Sequence, residues 1–131
     1  MFPSLQAAFD STVEHLAKQK TRALHSSGRY CEYRTDSGLS CAVGCHIPDS
    51  ETEMLENIGD AEHLQVGFPD EFRQYLGISE IDSDDELRFW QKIQIAHDVS
   101  GKLPNLIRQL NLVVDSFSLN PEKISLITEW S

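Results

Sequence analysis

From Asp49 to Glu86 the chain is nearly devoid of basic residues: Arg73 stands alone against thirteen Asp and Glu. Residues 1–48 and 87–131 each carry five Lys or Arg and four Asp or Glu, so the net charge of −10 arises in the middle third. This shortage of cations, with a sequence pI near 4.8, argues against direct binding to nucleic-acid phosphate, whose affinity depends on neutralising phosphates. Long apolar runs are also missing, and none approaches the roughly 18 to 20 residues that cross a bilayer. Cysteine is scarce and odd in number, three in all. Met1 to Gln6 has neither a basic nor an apolar signal region. Together these features argue against a secreted disulfide framework and predict a cytoplasmic protein. No phosphate-binding glycine loop, nucleophile elbow or HExxH motif is present.

What remains is 131 residues with 40% hydrophobic content, which predicts one domain over 1–131 with a core that needs no staples. Leu5, Phe9, Val13, Leu16 and Ala17 recur at helical spacing after Pro3 and Ser4, predicting a helix over about 4–19. Tyr30 to Arg34 and Leu39 to Val43 flank Thr35-Asp36-Ser37-Gly38 and read as strand, turn, strand. With Gly38 in a left-handed position, Thr35 would pair with Leu39 and Tyr33 with Cys41, leaving Cys31 diagonal to Cys41. Ser50-x-x-Glu53 has the form of a capping box and predicts a short helix through about Asn57. Pro69 opens a second short helix that Gly77 closes.

Ser83 with Glu86 repeats the capping box, predicting a helix to about Ser100 whose apolar face is Phe89, Trp90, Ile93 and Ala96, with His97 at its edge. Pro104 begins a further helix carrying Leu106, Leu110, Val113, Val114 and Phe117, and Asn120-Pro121 starts a terminal helix over 121–129. The predicted fold is therefore mainly α (α+β), a helical domain with one small antiparallel hairpin near residues 30–44.

Two constellations could carry chemistry. Cys31-x9-Cys41-x3-Cys45-His46 supplies four ligands of the kind that hold zinc tetrahedrally, although only Cys41 and Cys45 have the usual short spacing. His25 and His63 are alternatives for the fourth ligand. The plainer reading makes the cysteines small buried hydrophobes. His97-Asp98 joins an imidazole to a carboxylate, as in acid–base and hydrolytic metal sites, and Asp49 and Arg34 could complete it. A histidine beside an apolar helix face is more often a satisfied core residue. Asp82 to Glu86 lacks the glycine and glutamate of a calcium loop and is better explained as a helix start.

Cys31-Glu32-Tyr33-Arg34, the run Gly38 to Asp49, and Gln94-Ile95-Ala96-His97-Asp98 together form a recognisable pattern, preceded by Phe9-Asp10 and His15-Leu16. It resembles small uncharacterised proteins of phages and their bacterial hosts, which share C-x-YR…GL-x-CAVG-x-x-IPD and a later Q-x-x-HD. The resemblance spans roughly residues 8–98. It implies an accessory protein of a phage or mobile element in the host cytoplasm, and it implies no particular activity. Such proteins often have alanine where Cys45 stands here.

The leading expectation is a binding module that needs no cofactor. It would contact a basic protein surface, such as a host nucleic-acid-binding defence protein, as an anti-CRISPR-like inhibitor or DNA mimic. Glu62, Asp70, Glu71, Glu80, Asp82, Asp84, Asp85 and Glu86 are the expected contact residues. The alternative is a small hydrolase, metal-dependent or acid–base, built on Asp49, His97, Asp98 and Arg34. A zinc-stabilised structural module on Cys31, Cys41, Cys45 and His46 is the third reading.

Overall fold

Ser4 starts the first helix by accepting the Ala7 N–H at 3.1 Å, which satisfies one of the four amides a helix start leaves unpaired. In a computed structural model, which describes residues 1–51 and 60–131, α1 runs from Leu5 to Gln19 and buries Ala8, Phe9, Thr12, Val13 and Leu16. Four further α-helices follow among the described residues: α2 (Ala61–Gly67), α3 (Pro69–Leu76), α4 (Ser83–Val99) and α5 (Leu103–Phe117). Short 3₁₀ turns occupy Gly44–His46 and Glu122–Leu126. The second of these stands where a longer terminal helix is predicted. Of the capping box predicted from Ser50, Glu53 and the helix onward to Asn57 lie outside the described residues.

Helix α4 is the centre of the core. Phe89, Trp90, Ile93, Ala96 and His97 are all fully buried, and the helix packs against α5 and α2. Burying one large apolar side chain in this way stabilises by about 2–3 kcal/mol, so this face outweighs the weak propensities of its neighbours. Trp90 also donates its indole N–H to the Leu76 carbonyl at 2.8 Å, tying α3 to α4. The cap of α4 differs by one residue from the predicted box: Asp82, not Ser83, accepts the Asp85 N–H at 2.7 Å. Glu86 then points inward, 1% exposed, where it accepts the Ile78 N–H at 2.7 Å.

The predicted hairpin near 30–44 is a correction: among the described residues there is no strand or sheet, and the fold is mainly α. Two isolated bridges stand in its place, Leu24 with Cys31 and Arg34 with Ser40. The turn itself forms, with Gly38 at φ +91° and Thr35 N–H bonded to the Leu39 carbonyl at 2.8 Å. The pairing stops after the Thr35–Leu39 and Cys41–Tyr33 bonds because a helix claims the amide of the next rung. Gln94 of α4 accepts the Val43 N–H at 3.1 Å, while Gln19 of α1 accepts the outward-facing Ser40 N–H at 2.9 Å. Cys41 Sγ takes the Gly44 N–H at 3.1 Å and curls the chain into its 3₁₀ turn. Gly44 lies so close to the Tyr33 carbonyl that a Cβ there would collide with it, which is why the crossing needs glycine.

No helix among the described residues is long and apolar enough to cross a membrane.

Candidate functional site

His97 follows Ile93 by four residues on α4, and that spacing carries the ring inside, with 0% exposure. Its Nε2 accepts the Ala23 N–H at 3.1 Å, and its Nδ1 lies 2.7 Å from Asp98 Oδ1. A backbone amide can only donate, so Nε2 carries no proton and Nδ1–H faces the carboxylate. Gln94, four residues before Asp98 on the same helix, donates to the same carboxylate oxygen at 2.8 Å. The Trp130 ring stands edge-on to His97 at 5.9 Å and closes the inner side.

Cys31 reaches this group from the loop after α1, bridged to Leu24. Its thiol faces the Asp98 carbonyl at 3.9 Å, and Arg22 Nη1 approaches the same carbonyl at 3.4 Å. Burial, reinforced by the Asp98 charge, pushes the Cys31 thiol up to about 11. One ligand atom each from Cys31, His97 and Asp98 lies within 4.8 Å of the others. A thiol, an imidazole and a carboxylate are all donors that zinc accepts. The expectation of a chain with no cofactor is therefore corrected: the fold assembles three donors able to hold a metal ion.

The four cysteine and histidine ligands read from spacing do not assemble as a set. Among the described residues only Cys31 belongs to the cluster. Cys41 is fully buried, and burial pushes its thiol up to about 12. Cys45 Sγ faces the Ala42 carbonyl at 3.5 Å, and its thiol is likewise raised by burial. His46 turns toward α1, with Nε2 at 2.8 Å from Thr12 Oγ1. Asp49 does not join His97 and Asp98 in the cluster either. It pairs with Arg34 at 2.6 Å, and Arg34 also donates to the Ile47 carbonyl. The fold thus re-sorts the candidates into Cys31–His97–Asp98 on one hand and Arg34, Cys45, His46 and Asp49 on the other.

Of the acids, Glu62, Asp70, Glu80, Asp82 and Asp84 are exposed, and Glu71 and Asp85 are half-buried. Glu86 is inside and cannot meet a partner. The residues that sequence reasoning missed are Arg22, Ala23 and Trp130, which no motif marks. Thr12 had a signal: a hydroxyl at a helical position between Phe9 and Val13 must find partners once buried. Comparison of the chain with protein-family models, with curated proteins and with solved structures found no match.

Proposed function

We propose that this chain is a metal-dependent domain in which Cys31, His97 and Asp98 hold a divalent ion of the zinc class and leave a fourth position to water. The observation that carries this reading is the convergence of three chemically different donors within 4.8 Å. Structural zinc sites are closed by four protein ligands, whereas three ligands with an open position are the pattern of hydrolytic sites. The Asp98 side chain is 38% exposed, so solvent reaches the cluster at this carboxylate. Such an ion supplies an activated water for attack on a carbonyl or phosphoryl group. Arg22, whose Nη1 lies 3.4 Å from the Asp98 carbonyl, is a cation beside the cluster for a developing negative charge. The expectation of a basic protein partner rests on charge and on the resemblance to phage proteins, and the burial of Glu86 removes one of its contact residues.

Ion binding would rearrange protons at all three donors. The Cys31 thiol must ionise, and Nδ1 must give up its proton. A neutral ring can bind through Nδ1 only with the proton on Nε2, where it faces the Ala23 amide and displaces that hydrogen bond. A tetrahedral ion also sets its ligands at about 3.4–3.6 Å from one another, so the outermost pair closes by up to about 1.4 Å and His97 Nδ1 and Asp98 Oδ1 open from their present 2.7 Å.

Zinc titration of ¹⁵N-labelled protein, with stoichiometry by elemental analysis, tests the proposal. About one equivalent is expected, with the Ala23 amide among the resonances that move most. Cys31→Ala should abolish binding and Cys45→Ala should leave it unchanged. Substoichiometric zinc, or loss on Cys45→Ala but not on Cys31→Ala, overturns it. Cobalt binding without a thiolate charge-transfer band also counts against it.

A further inference from the structure

The second group of re-sorted candidates lines an open groove of about 580 Å³, in which His46, Arg34 and Asp49 meet Pro48 and Tyr75. We infer that this groove recognises a small carboxylic acid that also carries a hydrogen-bond donor, as an N-acyl amino acid or a 2-hydroxy acid does. The inference is independent of the metal cluster.

The donor requirement follows from the His46 tautomer. Thr12 gives its hydroxyl proton to the Ala8 carbonyl at 2.9 Å, so toward His46 it offers only a lone pair. His46 Nε2, at 2.8 Å, must therefore be the donor. That leaves Nδ1 as a bare acceptor, with no partner among the described residues. Edge contacts to Phe2 at 5.1 Å and Trp90 at 5.2 Å hold the ring in place. Burial holds the ring neutral well below its ordinary range, down to about 4. At neutral pH, then, His46 presents a lone pair to the groove and selects a ligand N–H or O–H.

The carboxylate requirement follows from Arg34. Its guanidinium donates Nη2 to the Ile47 carbonyl and Nη1 to the Asp49 side chain, 88% exposed, so Nη1 is the arm that a ligand carboxylate can take. An ion pair this exposed contributes little, so a ligand carboxylate can take the place of Asp49. The displaced Asp49 charge stays nearby and disfavours multiply charged anions such as phosphate. Pro48 provides apolar wall for the rest of the ligand, and Tyr75 adds a ring whose hydroxyl is bonded to Glu51, a second carboxylate that disfavours multiply charged anions.

The test uses N-acetylglycine, which has both required groups, with ¹⁵N detection of the histidine side chains. A saturable shift of His46 Nδ1 is expected. Acetate, which lacks the donor, and the methyl ester, which lacks the charge, should each bind roughly tenfold more weakly, since one hydrogen bond is worth about that factor. Inorganic phosphate should bind no better than acetate. Asp49→Asn removes the internal competitor and should tighten N-acetylglycine binding by about threefold. A damaged fold cannot produce that gain, and Asp49→Ser should repeat it. Arg34→Gln should lose binding. No saturable shift, equal binding of acetate or phosphate, or unchanged or weaker binding by Asp49→Asn would each overturn the inference.

Discussion

Two buried histidines illustrate what a sequence can and cannot convey about a single residue. The spacing of His97 from Ile93 puts it beside the apolar face, and the structure buries it with both nitrogens engaged. That much is legible from the period of α4. The environment of His46 is not, because its partner Thr12 lies 34 residues away. The difference matters for pH dependence. The folded His46 titrates near 4 and the ordinary value is 6.5, the largest cause being burial, followed by His15 and the Met1 amine. Between those values the unfolded chain binds the extra proton, so the contribution is complete above pH 6.5 and is lost as pH falls toward 4. The full window corresponds to about 3 kcal/mol. Across the groove, Arg34 and Asp49 add opposite charges of little net effect. His46→Gln keeps an N–H for Thr12 and has no such titration. Urea unfolding from pH 7 to 4.5 should therefore show a shallower fall in stability for the variant than for the parent protein, and parallel curves would reject the assignment.

At the scale of elements, α1, α3, α4 and α5 were legible because each combines a 3.6-residue apolar period with a cap or an early proline. Helix α2 was not: only Ala61 and Leu64 of its seven residues are buried, too few to define a period. The hairpin failed for the opposite reason. Its local signals were sound, yet Gln94 takes the Val43 amide that the next rung would have needed. A long-range polar side chain outcompeted local propensity, and the glutamine does not announce that role in sequence. Glu86 shows a similar transfer at the start of α4. Read as a capping residue and as a surface acid, it instead serves the buried Ile78 amide at 2.7 Å and lies 3.5 Å from Arg73. Glu86→Gln keeps the acceptor oxygen and should cost about 1 kcal/mol or less, since Arg73 is half-exposed. Glu86→Ala orphans the Ile78 amide and should cost about 2–3 kcal/mol. Equal losses in urea unfolding would mean that charge, not the hydrogen bond, holds this junction.

Over the whole molecule, the cluster exists only because three distant segments are tied together. Ser131 and the 20–22 loop exchange backbone bonds, Arg22 N–H to the Ser131 carbonyl at 2.9 Å and Ser131 N–H to the Lys20 carbonyl at 3.2 Å. Trp130 is thereby pressed against His97 and donates its indole N–H to the Ser100 carbonyl at 2.7 Å. None of this was legible, because no periodicity links residues 22, 97 and 130. The arrangement makes Trp130 a positioning residue for the cluster without being a ligand. Trp130→Phe keeps an aromatic ring beside His97 and loses the bond to Ser100, which should cost about 1–2 kcal/mol of stability. If the ring also fixes His97 for metal, zinc affinity measured by competition with a chromophoric chelator should fall by about tenfold, the lower end of effects seen when a group supporting a metal ligand is removed. Lower stability with unchanged zinc affinity would separate the two roles, making Trp130 a fastener of the chain that does not position the His97 ring for metal.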